Sequence, residues 1–329
     1  MQYYLSDIIR YNGGIIVKQV NIETVRSSVL RVKHRKRDLS GKIQIYLMIG
    51  IPFLLFAVFV IYPLLWVLRY AFYDYDGVKA VYTGLQNFHI LMKDAIWWKA
   101  VGNTILMTLG SIILGMPPAL ILAILLNSKF KGKIASKIIL YVPCLISTSI
   151  VGVIFQIMLS PTDGIINQIL LSAHIIKEPI YILANEGIAM FTIILVGIWQ
   201  WTGYNMTLFL AGLQKIPKEI YEAAIIDGAN ERQKIVYITV PQLGNMLKVI
   251  LMLSLINGLK QFDLVSVLTN GHPNHGTTTI VTYIYNYFFE VEGYRAQQGY
   301  AAAASVVATI IITVVTLIYF VISKRIQED

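Results

Sequence analysis

The stretch EAAIIDGANERQKIVYITVP, residues 222–241, is a polar, glycine-broken segment between two strongly apolar ones. Its local chemistry predicts two short helices with a sharp turn between them. Pro217 suits the first turn of the first helix, and Gly228 can supply the left-handed residue that stops it. Asn230 can cap the second helix, which Pro241 is expected to end. The sequence therefore predicts a bent pair of helices in this loop.

The composition around this loop is that of a membrane protein. The chain has 329 residues, of which 56% are hydrophobic and only 14% charged, and its mean hydropathy is +0.64. These values lie outside the range of ordinary soluble domains. In a soluble protein the formal charge of +9 would suggest a nucleic-acid partner. In a membrane protein the positions of the Lys and Arg residues matter instead, because they indicate the orientation of the spans. We expect a lipid bilayer as the main environment and no nucleic-acid partner.

Six apolar stretches are long enough to cross a bilayer, which needs about 20 residues of helix. Five of them contain no charged residue, whereas the fifth in chain order is interrupted by Lys248, Lys260 and Asp263. The sequence therefore predicts an all-α polytopic membrane protein with six transmembrane helices. They are expected at residues 43–68, 101–126, 138–159, 188–213, 246–268 and 300–323.

The basic residues indicate the orientation of these spans. Most of the 27 Lys and Arg residues precede the first span, follow the second or fourth, or lie in the tail. Because cytoplasmic loops are rich in Lys and Arg, both termini are expected to be cytoplasmic. The expected domains are a loosely ordered cytoplasmic extension (1–42), a six-helix transmembrane domain (43–323) and a cytoplasmic tail (324–329). The polar loop, 214–245, then faces the cytoplasm between helices four and five.

The sequence carries no pattern of a catalytic or metal site. The nearest match to a phosphate-binding G-x-x-x-x-G-K-[ST] loop is NSKFKGKI, which has Asn127 in place of the first glycine and Ile134 in place of Ser or Thr. His272 and His275 are close together, but no carboxylate or further histidine lies nearby at ligand spacing. We expect neither enzymatic activity nor a metal site in this chain.

The polar loop resembles the signature of permease subunits of binding-protein-dependent ABC importers. E-A-A is followed at fixed spacing by G and I-x-V-P, where the family pattern prefers Leu to Val240. In that family the bent helices contact a cytoplasmic ATPase. The residues of the implied ATPase-coupling surface are Glu222, Ala223, Ala224, Asp227, Gly228, Ile238 and Pro241. From the residues alone, an amphipathic hairpin on the lipid headgroups is an equal alternative.

Other segments resemble the maltose-type, carbohydrate branch of these permeases. They are GLQNF (84–88), GNTILMT (102–108), DGIINQIL (163–170), GLQKIPKEIYEAAIIDGA (212–229) and QFDLVSVLTNGHP (261–273). The resemblance covers roughly residues 40–325, and His272 replaces a glycine of the family pattern. It implies a multi-pass subunit of the bacterial cell membrane that forms part of a pathway for a sugar or oligosaccharide.

The resemblance also implies the partners of the chain. They are a second, homologous permease in a heterodimer, two cytoplasmic ATPases that bind ATP and Mg, and an extracellular solute-binding protein. The chain itself is expected to hold no cofactor. Two alternatives remain open: a permease for another polar solute such as glycerol phosphate, or a stand-alone secondary carrier or channel. The sequence has no internal repeat of the kind that single-chain carriers often carry.

Polar and aromatic residues inside the fourth and fifth spans are candidates for the solute pathway. Sugars are bound by aromatic faces and by side chains that hydrogen bond to hydroxyls, and polar residues in a span usually face a cavity or the bundle interior. In WQWTGYN (199–205), Gln200 shares a helix face with Tyr204, and Trp201 shares one with Asn205, each pair at i, i+4. In the fifth span Ser254, Asn257 and Gln261 form one polar stripe. The candidates are Gln200, Trp201, Tyr204, Asn205, Asn257, Lys260 and Gln261.

Two alternatives concern these pathway candidates. Hydrogen bonds between helices would explain the polar residues without a solute. Lys260 either forms an i, i+3 ion pair with Asp263, extends to the outer interface, or lines the pathway and favours an acidic sugar.

Overall fold

The structure is a computed structural model that describes residues 6–11, 14–19, 39–128, 131–289 and 296–328. The chain divides into two compact units, Met1–Leu65 and Trp66–Asp329. The described chain is mostly helical, as expected, with two short antiparallel pairs of strands that the all-α prediction missed.

The first unit contains one of these strand pairs and most of the first long helical segment. Strands β1 (Ser6–Tyr11) and β2 (Gly14–Gln19) pair antiparallel, with Ile8 opposite Val17. The sequence did not predict these two strands within the extension. Most of the basic segment at 31–42 lies outside the described residues. Helix α1 (Leu39–Phe56) follows, and a π-helical turn (Ala57–Ile61) joins it to α2 (Tyr62–Tyr70).

The second unit begins with the end of α2 and a short hairpin, β3 (Tyr73–Tyr75) with β4 (Ala80–Tyr82). In the turn between these strands, Asp76 Oδ1 accepts hydrogen bonds from the backbone N–H groups of Lys79 (2.8 Å) and Val78 (2.9 Å). These bonds stabilise the ionised carboxylate and hold the pKa of Asp76 below its usual range.

Thirteen further helices, by their bounds in the described chain, complete the second unit. They are α3 (Gln86–Lys93), α4 (Ala95–Asn127), α5 (Lys133–Leu145), α6 (Thr148–Met158), α7 (Ile165–Ser172), α8 (Glu186–Leu213), α9 (Lys218–Ile226), α10 (Glu231–Lys234), α11 (Val240–Gln242), α12 (Gly244–Leu259), α13 (Asp263–Leu268), α14 (Ile280–Phe289) and α15 (Gln298–Glu328). A 3₁₀ turn (Ile182–Ala184) precedes α8, and a π-helical segment (Ile235–Thr239) joins α10 to α11.

The predicted third span, 138–159, is not one continuous helix. It is split into α5 and α6, which meet at an angle of 91°. Ile146 between them is extended (φ −80°, ψ 135°), so its carbonyl group leaves the helical hydrogen-bond pattern. The side chain of Gln200 donates to that carbonyl oxygen at 3.0 Å. A distant residue therefore satisfies the polar group that the break exposes.

The predicted fifth span, 246–268, is also interrupted. Helix α12 ends at Leu259, and α13 begins only at Asp263. The alternative that Lys260 pairs with Asp263 is wrong, since these residues form no ion pair in the described chain. The reason is that the helix ends at Leu259, so the two side chains lack the i, i+3 geometry of a helix. Thr279 Oγ1 donates to the carbonyl oxygen of Gln261 at 2.9 Å, which satisfies one group freed there.

Four helical segments in the described chain are long and apolar enough to cross a membrane. They are Tyr46–Tyr70, Ala95–Asn127, Glu186–Leu213 and Gln298–Lys324. The number rises to 6 if each of two bent helix pairs counts as one span. The first pair is α5 with α6, at 91°, and the second is Glu231–Gln242 with α12, at 66°.

Helices α4, α8 and α12 form the centre of the second unit. Their contact is made by a buried apolar cluster that includes Ala119, Met206 and Ile250. Helix α5 approaches α8 so closely that a Cβ added to Gly203 would lie 1.9 Å from the carbonyl oxygen of Leu140. Only glycine fits at this crossing, and the packing of α5 on α8 depends on it.

Candidate functional site

A cavity lies between α4, α8 and α12, with a volume of about 80 Å³. This volume is below the roughly 300–1,000 Å³ of typical small-molecule sites, so this chain by itself encloses only a small part of a larger ligand. Apolar side chains of α4 and α8 form much of the wall. The polar and aromatic residues that line it are Ser111, Trp201, Thr202, Tyr204, Asn205, Ser254, Asn257 and Gln261.

Five of the seven predicted pathway residues meet in this cavity. Trp201, Tyr204 and Asn205 reach it from one face of α8, while Asn257 of α12 and Gln261 just after that helix reach it from the other side. The rings of Trp201 and Tyr204 meet edge to face, with centroids 5.9 Å apart and planes at 88°. Two aromatic rings and three side-chain amides therefore line the same cavity, a combination that suits the C–H surface and the hydroxyls of a sugar.

Gln200 is placed differently from the sequence-based prediction. It does not line the cavity but is fully buried against the break between α5 and α6. Its Nε2 atom donates to the carbonyl oxygen of Ile146 (3.0 Å) and to Oγ1 of Thr148 (3.3 Å). Its Oε1 atom is buried with no hydrogen-bond partner among the described residues. Gln200 thus holds the broken helix to α8, as the helix-to-helix alternative anticipated.

Lys260 is likewise outside the cavity. Its side chain is exposed, and it does not line the wall although the next residue, Gln261, does. Conversely, sequence analysis missed Ser111 of α4, which lines the wall. The only signal for Ser111 was a hydroxyl in the middle of an apolar span, and such a hydroxyl more often bonds to its own helix.

The polar loop at 214–245 has the predicted bend. Gly228, after α9, adopts φ +79°, and no atom lies within 4 Å of where a Cβ would stand. The left-handed backbone, not lack of space, therefore requires glycine here. Asn230 caps α10 in a reciprocal capping box: its Oδ1 accepts from the N–H of Gln233 (2.9 Å), and Gln233 Oε1 accepts from the N–H of Asn230 (2.8 Å).

The prediction that Pro241 ends the second loop helix is wrong. The helical path runs from Glu231 through a π-helical segment to Gln242 and includes Pro241. Within the segment, the N–H of Val240 bonds to the carbonyl oxygen of Ile235, five residues earlier. This wider turn shifts the hydrogen-bond register just before the proline, which lacks an N–H, and lets the helix continue.

The loop presents a partly apolar surface around its bend. Ile226 is 87% exposed and Tyr237 is 76% exposed, whereas Ala224 is buried against the rest of the chain. Glu222, Ala223 and Asp227 are exposed on the same loop. Of the seven residues of the predicted coupling surface, α9 carries Glu222, Ala223 and Ala224, the turn carries Asp227 and Gly228, and the following helical path carries Ile238 and Pro241.

The two arms of the loop are tied together and lead into the cavity wall. The hydroxyls of Tyr221 on α9 and Thr239 in the π-helical segment are 3.1 Å apart and hydrogen bonded. Leu243, where α11 passes into α12, is buried in the central apolar cluster. Beyond a bend of 66° at Leu243, α12 carries Ser254 and Asn257 of the cavity wall, so the loop and the cavity are joined by a short, bent helical path.

At the opposite ends of the helices, the loop between α13 and α14 is held by residues that sequence analysis did not single out. Lys99 Nζ of α4 forms an ion pair with Glu186 Oε2 (2.9 Å) and donates to the carbonyl oxygen of Asn274 (2.7 Å). Asn103 Nδ2 donates to the carbonyl oxygen of His275 (3.0 Å). These contacts join α4, α8 and the loop, and no local sequence pattern signals them.

The His272–His275 pair lies in this loop, with stacked rings 6.5 Å apart. In the described part of the chain no three His, Cys, Asp or Glu residues form a group that could hold a metal ion. Burial lowers the pKa of His275, and the nearby His272 and Lys99 lower it further.

Comparison with known proteins gives one family match. Residues 90–328 match the model of the family described as binding-protein-dependent transport system inner membrane component. The arabinooligosaccharides transport system permease protein AraP of Bacillus subtilis is 35% identical, over 95% of this chain and 99% of the relative. The lactose transport system permease protein LacF of Rhizobium radiobacter is 33% identical, over 92% and 98% respectively.

Solved structures have the same fold. A bacterial ABC transporter involved in the import of the acidic polysaccharide alginate superimposes with a TM-score of 0.76 at 26% identity, over 88% of this chain and 98% of that chain. The alginate transporter in complex with an alginate pentasaccharide-bound periplasmic protein gives a TM-score of 0.75, also at 26% identity, over 89% and 98%.

Proposed function

We propose, because the chain belongs to the family of binding-protein-dependent transport system inner membrane components, that it is the permease subunit of an ATP-driven carbohydrate importer. It is a multi-pass membrane protein and not an enzyme. The observation that carries the carbohydrate assignment is the cavity, which is lined by the rings of Trp201 and Tyr204 and by the amides of Asn205, Asn257 and Gln261. Aromatic faces and amides match the C–H surface and the hydroxyls of a sugar.

The topology that we propose has six spans, with each bent helix pair crossing once, and both termini on the cytoplasmic side of a bacterial cytoplasmic membrane. The basic segments before the first span and after the second and fourth spans support this orientation. The transmembrane domain is then 43–323, between an extension (1–42) and a tail (324–329), and the polar loop 214–245 lies in the cytoplasm.

The loop is proposed as the coupling element for one of two cytoplasmic ATPases, which bind ATP and Mg. Its exposed apolar residues around the bend, Ile225, Ile226 and Tyr237, support a protein contact. When ATP binding draws the ATPases together, the loop moves, and its bent connection through the buried Leu243 displaces α12 and its side of the cavity. Transport therefore requires the ATPases, since this chain has no phosphate-binding loop.

A solute-binding protein delivers the ligand to such a permease; the solved alginate transporter is in complex with a periplasmic protein that binds the alginate pentasaccharide. We further propose a heterodimer with a second, homologous permease. The partner is expected to complete the pathway, of which this cavity would form one part. Native mass spectrometry of the purified complex should show one copy of this chain; two copies without a sister subunit would contradict the heterodimer.

The experiment that tests the function is uptake of a labelled arabinose oligosaccharide into proteoliposomes that contain the complex and the binding protein. Uptake should require ATP inside the vesicles and should not occur with the isolated chain. ATP-free uptake by the isolated chain would indicate a secondary carrier or channel. ATP-dependent uptake of glycerol phosphate in place of the sugar would indicate a permease for another polar solute.

A further inference from the structure

We propose that the cavity between α4, α8 and α12 accepts an uncharged saccharide and excludes an acidic one. This inference rests on the proposed function as a carbohydrate permease and names the class of its substrate. Among the described residues that line the cavity there is no Asp, Glu, Lys, Arg or His. Its polar groups are hydroxyls, three side-chain amides and one indole N–H, all of them uncharged.

The lysines nearest to the cavity along the chain do not provide a charge to it. Lys260 directly precedes Gln261, yet its side chain is exposed and outside the wall. Lys248, six residues before Ser254 on α12, is not part of the wall either. On α4, Lys99 is already paired with Glu186 at 2.9 Å. Among the described residues of this chain, no cation in the cavity wall is therefore in place to balance the carboxylate of an acidic sugar.

The lining favours hydroxyls over carboxylates for a physical reason. Each amide offers both a donor and an acceptor, and a sugar hydroxyl also does both, so Asn205, Asn257 and Gln261 can be matched completely. A carboxylate can only accept, so it can bond to the amide N–H groups but leaves the amide oxygens without a donor. Removing the carboxylate from water without a cation also carries a large desolvation penalty. The rings of Trp201 and Tyr204 offer stacking surfaces but no compensating positive charge.

The comparison with solved structures makes this inference specific. The alginate transporter has the same fold at 26% identity and imports an acidic polysaccharide. The relatives named above are permeases for arabinooligosaccharides and lactose, which are neutral sugars. The fold is thus compatible with cargo of either charge. We infer that the uncharged lining of this cavity places the chain with the importers of neutral sugars.

The test is direct binding to the purified complex in nanodiscs, without the solute-binding protein, so that its own selectivity does not contribute. Arabinopentaose and lactose are the neutral probes, and alginate pentasaccharide is the acidic one. Binding is followed by quenching of tryptophan fluorescence, with Trp201→Phe to identify the signal from the cavity. We expect saturable quenching by a neutral probe and an affinity for alginate pentasaccharide at least about 100-fold weaker.

A charge-insertion variant separates the cavity from the rest of the complex. Asn257→Lys should raise the affinity for alginate pentasaccharide and lower that for the neutral probes, whereas Lys260→Asn, outside the wall, should change neither. Alginate binding to the unmodified complex as tight as that of the neutral sugars would overturn the inference and leave the permease function intact. If no saccharide binds, both the inference and the carbohydrate assignment are wrong. An Asn257→Lys variant with unchanged selectivity would show that the selection occurs elsewhere.

Discussion

Replacing Gly228 by valine tests whether the bent loop couples this permease to an ATPase. Gly228 has φ +79°, and nothing lies within 4 Å of an added Cβ, so the substitution introduces backbone strain without a clash. A β-branched residue in the left-handed region costs about 1–3 kcal/mol. That energy corresponds to about a 5-fold to 150-fold loss in the population of the bent loop relative to alternative loop conformations.

The effect of Gly228→Val should be confined to coupling. Because the bend lies outside the apolar spans, the variant should insert and reach normal membrane levels, measured by immunoblot of isolated membranes. Co-purification of the ATPase should weaken, and loaded binding protein should no longer stimulate ATP hydrolysis. Gly228→Asn is the matched control, since asparagine tolerates the left-handed region better than other non-glycine residues; it should retain much of the activity.

One result would refute the coupling hypothesis. If Gly228→Val transports at the normal rate with the ATPase bound as before, the loop does not dock on that subunit. It would then be an amphipathic hairpin on the lipid surface, and its exposed apolar residues would contact headgroups. A fall in membrane level equal to the fall in transport would show instead that the bend is needed for folding.

Three further predictions follow from individual contacts. Glu222→Ala removes an exposed charge from the loop while favouring its helix, so ATPase coupling should weaken at unchanged membrane level; normal coupling would remove Glu222 from the interface. Gly203→Ala would place a Cβ 1.9 Å from the carbonyl oxygen of Leu140 and should sharply reduce the amount of folded protein in detergent. Gly102→Ala is the control and should not reduce it, since no atom lies within 4 Å of the added Cβ. Equal yields of the two variants would refute the close packing of α5 on α8. Trp201→Ala should lower sugar affinity by about 2-fold to 13-fold while stability is retained, since an aromatic contact contributes about 0.5–1.5 kcal/mol, and an unchanged affinity would exclude stacking on this ring.

The sequence by itself was sufficient for those features that depend on a few neighbouring residues. The apolar stretches identify the long helices, because a helix that crosses lipid needs an uninterrupted run of such residues. The bend at Gly228 and the cap at Asn230 were also predicted correctly. Both arise within three residues of chain, from a backbone conformation that glycine tolerates and from a side chain that reaches the next helical turn.

The interrupted spans could not be predicted, because the groups that stabilise each break come from distant parts of the chain. The carbonyl group of Ile146 is satisfied by Gln200, and that of Gln261 by Thr279. Hydropathy records the third segment only as apolar, and in the fifth it records three charged residues but not an end to the helix. The helix through Pro241 is a similar case, since a π-helical segment accommodates a residue that usually ends a helix.

The tertiary structure alone decided which polar residues line the cavity. Spacing places Gln200 and Tyr204 on one side of α8, but the rotation of that helix against α4, α5 and α12 buries the first and directs the second to the cavity. The same packing leaves Lys260 outside the wall and brings Ser111 into it. Helix periodicity relates residues within one helix, whereas the direction that a face takes depends on the close packing of its neighbours, such as the contact at Gly203.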